Sequence, residues 1–184
     1  DYENAITENT ALILRVHTSN YRVIGFTSEV SVEDLAKLGR RRSIPVVDDI
    51  GSGALVDLKA FGLPEEPMVQ DSVRAGADLV CFSGDKMLGG PQCGMIVGRR
   101  ELVERIKKNP LTRALRCDKM TYAAAEATLK LFLEPEKLPE VHPVLRMITE
   151  PAPQVKRRAQ NLKRRLTALT GNKLELTVLP GETE

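Results

Sequence analysis

Asp78-Leu-Val-Cys-Phe-Ser-Gly-Asp-Lys-Met-Leu-Gly-Gly-Pro-Gln-Cys-Gly-Met-Ile-Val97 sets two short apolar runs on either side of a polar, glycine-rich turn. Asp78 to Phe82 and Met95 to Val97 predict strands, because each is brief, rich in strand formers and bounded by breakers. A helix is expected before them, near Met68 to Ala75, and another after them, from Glu101 to Lys108. Strands that alternate with helices imply an α/β fold: a mostly parallel sheet with helices on both faces, whose ligands collect at the carboxyl ends of the strands.

The same alternation extends toward the N-terminus. Ala11-Leu-Ile-Leu-Arg-Val16 predicts a strand that runs into the polar loop His17-Thr-Ser-Asn20. Ser31-Val-Glu-Asp34 is an N-cap with early acids, and the helix it opens runs through Leu35 and Leu38 to the basic end Arg40-Arg41-Arg42. Ile44 to Val47 predict a buried strand ending at Asp48-Asp49. Toward the C-terminus, an Ala-rich amphipathic helix is expected from Met120 to Leu133. Five prolines then interrupt the pattern (Pro135, Pro139, Pro143, Pro151 and Pro153) and place a boundary between a large domain, residues 1–138, and part of a small α/β domain, residues 139–184. In the second unit Gln154 to Leu169 predict a strongly basic helix and Leu174-Glu-Leu-Thr-Val178 a strand.

Composition narrows the function classes. The 184 residues are 42% hydrophobic, and 27 Lys plus Arg against 25 Asp plus Glu leave a formal charge of +2. That balance lacks the strong positive field that would by itself indicate nucleic acid. Cys81, Cys93 and Cys117 form no Cys-x-x-Cys pair and only two histidines accompany them, so reduced thiols rather than a metal site are expected. No apolar run approaches the roughly 20 residues of a membrane span, and no signal-peptide pattern opens the chain, which predicts a cytoplasmic protein. Both ends look cut, and the sequence reads as a fragment.

Three polar groups fall where parallel strands should end: His17 to Asn20, Asp48-Asp49, and Ser83 to Lys86. A lysine in a loop is ordinarily solvated surface, but this one lies between two apolar strands in a glycine-rich turn. A pyridoxal-phosphate (PLP) enzyme needs a lysine amine that can be deprotonated and held against an aldehyde, and the strand ends are expected to offer desolvation and cationic neighbours for that. Ser83, three residues earlier, has the spacing to reach a cofactor phosphate while Lys86 reaches the aldehyde carbon. Gly84, Gly89 and Gly90 allow close backbone approach. A Walker loop is excluded, because Gly-x-x-x-x-Gly-Lys-Ser/Thr is absent. A carboxylate on the pyridine nitrogen would keep the ring an electron sink. Asp49 is preferred over Asp48 there, since Gly51 leaves room for a flat ring on the Asp49 side whereas Ile50 would crowd it on the other. Both acids could instead cap the strand-to-loop turn. Arg113 and Arg116, three apart, share a face if their segment is helical and would then suit an oxyanion.

Leu14-Arg-Val-His-Thr-Ser-Asn-Tyr-Arg22 with Gly25-Phe-Thr27, Asp49-Ile-Gly-Ser-Gly-Ala-Leu-Val-Asp-Leu58, Phe82 to Gln92, and Leu115-Arg-Cys-Asp-Lys-Met120 together resemble the bacterial selenocysteine synthase family, the L-seryl-tRNA(Sec) selenium transferases. The resemblance implies the fold-type I PLP architecture, a large α/β domain with a small C-terminal one, assembled as homo-oligomers built from dimers. It implies Lys86 as the PLP lysine that forms the Schiff base, Asp49 as the pyridine partner, Asp85 as a further catalytic residue, and Arg113 and Arg116 as arginines favouring a phosphate-like selenium donor. The implied reaction converts seryl-tRNA(Sec) to selenocysteinyl-tRNA(Sec) through an aminoacrylyl intermediate, with selenophosphate supplying selenium. The family's tRNA-contacting region and the loop that binds the PLP phosphate would precede Asp1, so the isolated chain is expected to be inactive. Two other readings compete: a PLP-dependent eliminase acting on a small amino acid or amino sugar, and a non-catalytic RNA-binding or assembly module built on the basic helix Lys156 to Arg165. The second is weakened by the absence of interleaved aromatics to stack on bases.

Overall fold

Residues 1–18, 23–171 and 173–181 are described by the computed structural model. Helix α1 (Tyr2–Ala5) precedes strand β1 (Ile13–Val16). Helix α2 (Val32–Arg42) begins where the sequence places its cap, with the Ser31 hydroxyl accepting the Asp34 N–H at 3.1 Å, and its three terminal arginines face the negative end of the helix dipole. Strand β2 (Val46–Gly51), a 3-10 turn (Leu58–Phe61), helix α3 (Val69–Ala75), strand β3 (Leu79–Ser83) and strand β4 (Gly94–Gly98) follow. The rest is helical: α4 (Arg100–Lys108), α5 (Pro110–Leu115), α6 (Lys119–Leu131), a 3-10 turn (Pro135–Lys137), α7 (Leu138–Val141), α8 (Pro143–Ile148) and α9 (Ala152–Thr170).

The strands form one sheet in the order β1-β2-β3-β4. The first three are parallel, joined through the crossover helices α2 and α3, and β4 runs antiparallel to β3. A parallel return needs a crossover of a dozen or more residues, and the Gly84–Cys93 connection is too short and carries no helix. The expected mostly parallel α/β sheet is therefore present, with its antiparallel member at one edge.

Alternation along β2 decides what each face holds. Val46, Asp48 and Ile50 point to one side, where Ile13, Leu35, Leu38 and Val46 form one buried cluster and Ile50, Val69, Ala77, Val80, Phe82 and Leu88 another. Each Val, Leu, Ile or Phe side chain among them, when fully buried, contributes ~1.5–3 kcal/mol. Val47 and Asp49 point to the other side, where Leu14 (49% exposed), Val16 (58%) and Ile96 (43%) remain largely open. A third cluster joins Leu58 of the 3-10 turn to Leu138 and Leu145 of α7 and α8, so the segment beyond Pro139 packs onto the part that precedes it.

Local expectation and structure part company in three places. Strand β2 runs from Val46 through Asp48 and Asp49 to Gly51 instead of ending at the two acids, because the ladder to β3 extends that far. The strand predicted at Leu174 to Val178 does not form: among the described residues 173–181 no backbone ladder exists, and an extended run without a neighbour has nothing to hold its N–H and C=O groups. Helix α5 stops at Leu115, which leaves Arg116 extended (φ −64°, ψ 139°), so Arg113 and Arg116 do not share a helical face. Asp118 then caps α6 with its carboxylate, and the chain leaves α5 to reach that cap. Helix α9 buries no residue, and no helix among the described residues is long and apolar enough to cross a membrane.

Candidate active site

Parallel pairing of β1, β2 and β3 brings their carboxyl ends to one edge of the sheet. Val16 pairs with Asp49, Asp49 with Cys81, and the His17 N–H donates to the Asp49 carbonyl at 2.8 Å. His17, Asp49 and Ser83 thus lie at the same end, and Lys86 follows three residues after Ser83. Of the predicted polar loop after β1, Ser19 and Asn20 lie outside the described residues.

The two adjacent acids on β2 have opposite surroundings. Asp48 is fully buried, with Arg15 Nη1 3.0 Å from one carboxylate oxygen and the Ser72 hydroxyl donating to the other at 2.6 Å. Both of its oxygens are occupied by residues of the core face. Asp49 points to the other face, half-buried, and no hydrogen bond or ion pair joins its carboxylate to another described residue. Across the ladder lies Cys81, whose thiol is pushed above its ordinary pKa by burial first and then by the negative charges of Asp49 and Asp48. The parallel ladder is irregular between Asp49 and Gly51, where Ile50 packs into the core.

The bend after β2 is fastened to the lysine turn. The Met87 N–H donates to the Ser52 carbonyl at 2.9 Å, immediately after Lys86. Gly53 has φ +71°, and a Cβ there would stand 2.7 Å from the Ser83 carbonyl oxygen and 3.1 Å from Phe82, so the two turns meet at a distance only glycine permits. Within the lysine turn, Gly89 N–H donates to the Lys86 carbonyl at 2.9 Å and Gly90 N–H to the Gly84 carbonyl at 2.7 Å, while Gly84 N–H donates to the Cys93 carbonyl at 2.8 Å. Asp85 and Lys86 are exposed near the start of this pinned turn, as Gln92 is near its end, and Ser83 just before it is half-buried. Buried polar atoms without a hydrogen-bond partner among the described residues include His17 Nδ1, just after β1, and the hydroxyl of Ser52, just after β2 and only 3% exposed. His17 Nε2 lies 3.8 Å from Glu66 Oε1.

Arg113 and Arg116 stand apart from this arrangement. Both are exposed, and neither makes a hydrogen bond or ion pair with a described residue of the lysine turn. A link runs through the neighbouring cysteine. Burial raises the pKa of the Cys93 thiol, and Cys117 and then Asp85 add to the shift, which puts the segment following Arg116 close to the turn.

Sequence reasoning missed His142. It is fully buried, its Nε2 is 2.9 Å from the Leu88 carbonyl, its Nδ1 accepts the Leu145 N–H at 3.1 Å, and its ring meets Phe132 edge-on at 5.2 Å. Only a contact 54 residues away in sequence reveals it, although the following Pro143 does mark it as a helix N-cap.

The arrangement defines a class: an α/β domain in which a pinned lysine turn and a carboxylate without a partner among the described residues share the mouth of a mainly parallel sheet. A solved structure of D-glucosaminate-6-phosphate ammonia-lyase matches this fold with a TM-score of 0.57 over 72% of the chain and 32% of its own, at 23% identity. A family model described as L-seryl-tRNA selenium transferase matches residues 1–184. Curated relatives named L-seryl-tRNA(Sec) selenium transferase include one from Haemophilus influenzae, 54% identical over 97% of the chain and 39% of its own length. Another, from Carboxydothermus hydrogenoformans, is 58% identical over 90% of the chain and 35% of its own. The chain belongs to the L-seryl-tRNA selenium transferase family, and it spans about two fifths of the length of these relatives.

Proposed function

We propose that at full length this protein converts seryl-tRNA(Sec) to selenocysteinyl-tRNA(Sec), with PLP as cofactor and selenophosphate as selenium donor. The observation that carries the reading is the hydrogen bond from Met87 N–H to the Ser52 carbonyl, which ties the Lys86 turn to the end of the strand bearing Asp49. Family membership and the names of the relatives support the transferase reaction.

The residues present fit PLP. An exposed amine on a fixed backbone, a carboxylate with no other described partner on the open face, and a hydroxyl at the base of the turn match the aldehyde, ring nitrogen and phosphate of that cofactor. Bound PLP supplies an electron sink for charge developing on the seryl α-carbon. Lys86 would hold the cofactor through Nζ, and that same atom would take the seryl α-proton as general base. Asp49 would face the pyridine nitrogen and keep it protonated. Ser83 would donate its hydroxyl to the phosphate. Asp85, exposed beside Lys86, acts in catalysis with it. Arg113 and Arg116 offer guanidinium groups to the phosphate of selenophosphate, and their exposure leaves both free to turn toward it.

The same reading places the protein in the cytoplasm as a homo-oligomer built from dimers, with the small domain beginning in the Pro-rich connection after residue 138. The test is selenium transfer by the full-length protein supplied with PLP, seryl-tRNA(Sec) and selenophosphate. Transfer that vanishes in Lys86→Ala and falls in Asp49→Asn supports the reading; transfer unaffected by Lys86→Ala refutes it.

A further inference from the structure

The hydrogen bonds of His142 fix its protonation. Nδ1 accepts the Leu145 N–H, so it carries no proton, and Nε2 must then bear one and donate it to the Leu88 carbonyl. The ring is therefore neutral and both of its nitrogens are used inside a site with no exposure to solvent. Its placement bears on one segment in particular. Leu88, also fully buried, stands two residues after Lys86, and Gly89 (φ +70°) lies so close that a Cβ would be 2.6 Å from His142 Cε1 and 2.7 Å from Nε2. Phe132, packed against both the ring and the core cluster that includes Leu88, closes the other side.

The geometry points to His142 as a positioning residue for Lys86: it latches the lysine turn from α8 by holding the Leu88 carbonyl. This rests on the reading of Lys86 as the cofactor lysine. The two residues immediately after Lys86 are both fastened, Met87 through its N–H to the Ser52 carbonyl and Leu88 through its carbonyl to His142, so the lysine is followed by two anchors from different parts of the chain. Neither anchor touches the amine. Their effect is to restrict where its stem starts, which lowers the entropy lost when the amine is fixed against a carbonyl. An anchor supplied by α8 also makes the lysine turn sensitive to how the segment after the Pro-rich connection packs, since α8 joins the core through Leu145.

The test uses full-length protein and compares His142→Phe, which fills the space without either hydrogen bond, with His142→Gln, whose amide can still donate to the Leu88 carbonyl. Hydrogen exchange is followed at Gly89 and Gly90 and, as an internal control, at the β2 and β3 amides; PLP affinity is read from visible absorbance. The expected result for His142→Phe is exchange at Gly89 and Gly90 faster by about tenfold or more, unchanged exchange in β2 and β3, and weaker PLP binding, with both effects largely reversed in His142→Gln. Unchanged exchange in the turn, or a loss spread equally over β2 and β3, overturns the latch. So does normal PLP affinity with a loosened turn. If borohydride attaches PLP to a lysine other than Lys86, the reading of the site fails instead, while the exchange result still decides whether the latch exists.

Discussion

Replacing Arg15 by Met isolates the role of the buried acid on β2. In the folded chain the Asp48 carboxylate has no exposure, and its partners are Arg15 at 3.0 Å and the Ser72 hydroxyl at 2.6 Å. Methionine keeps most of the volume of the arginine stem but removes the guanidinium, so one oxygen of a buried anion loses its counter-charge. Breaking a buried pair from one side costs about 3–5 kcal/mol, because the remaining charge is neither solvated nor compensated. A natural domain has only about 5–15 kcal/mol of stability in total, so the variant should unfold at much lower urea with an unchanged slope. Removing both charges together with the hydroxyl that serves them, as in Arg15→Met with Asp48→Leu and Ser72→Ala, should restore most of the loss, since neither a lone charge nor an orphaned hydroxyl remains. A cost for Arg15→Met below about 1 kcal/mol, the level of a surface ion pair, would refute the reasoning. It would mean that the carboxylate finds solvent, and the ground for assigning Asp48 to structure and Asp49 to chemistry would go with it.

Gly53→Ala should destabilise by at least about 1–2 kcal/mol from the positive φ alone, with the contact at the Ser83 carbonyl adding to it; chemical denaturation measures the loss. Cys81 should react with iodoacetamide more slowly than an unhindered thiol at neutral pH, because burial and then the Asp49 and Asp48 charges raise its pKa, and Asp49→Asn should speed the labelling read by mass spectrometry. Asp118 has its pKa lowered from 3.8 by the Thr121 and Met120 amides that it caps. A depressed carboxylate contributes stability that is present above its unfolded pKa and lost as pH falls through the folded one. Helicity followed by circular dichroism below about pH 4 should therefore fall less steeply in Asp118→Asn, which still caps but does not titrate.

What was legible in the sequence was what local chemistry encodes. The Ser31 cap, the acids behind it and the arginine end delimit α2 correctly, and the apolar runs at Ala11 to Val16 and Asp78 to Phe82 mark β1 and β3, because cap residues and β-branched runs act within a few positions. The alternation of side chains along β2 puts Asp48 and Asp49 on opposite faces, and Ile50 lies on the core side with Asp48. Properties set by distant partners were not legible. Leu174 to Val178 has strand propensity but no ladder, and nothing in Arg113 to Arg116 announces that the chain must leave its helix to reach the Asp118 cap. The Ser52–Met87 bond joins backbone atoms, which any residue except proline at position 87 could make, so no side-chain pattern betrays it. His142 is invisible for the same reason: its partner is a carbonyl.

The central claim is that the amine at position 86 is the one that takes the cofactor. Full-length protein loaded with PLP, reduced with borohydride, digested and mapped by mass spectrometry should carry the pyridoxyl group on Lys86, and Lys86→Ala should lose both the adduct and the visible absorbance. An adduct on any other lysine, or undiminished absorbance in Lys86→Ala, would contradict the account.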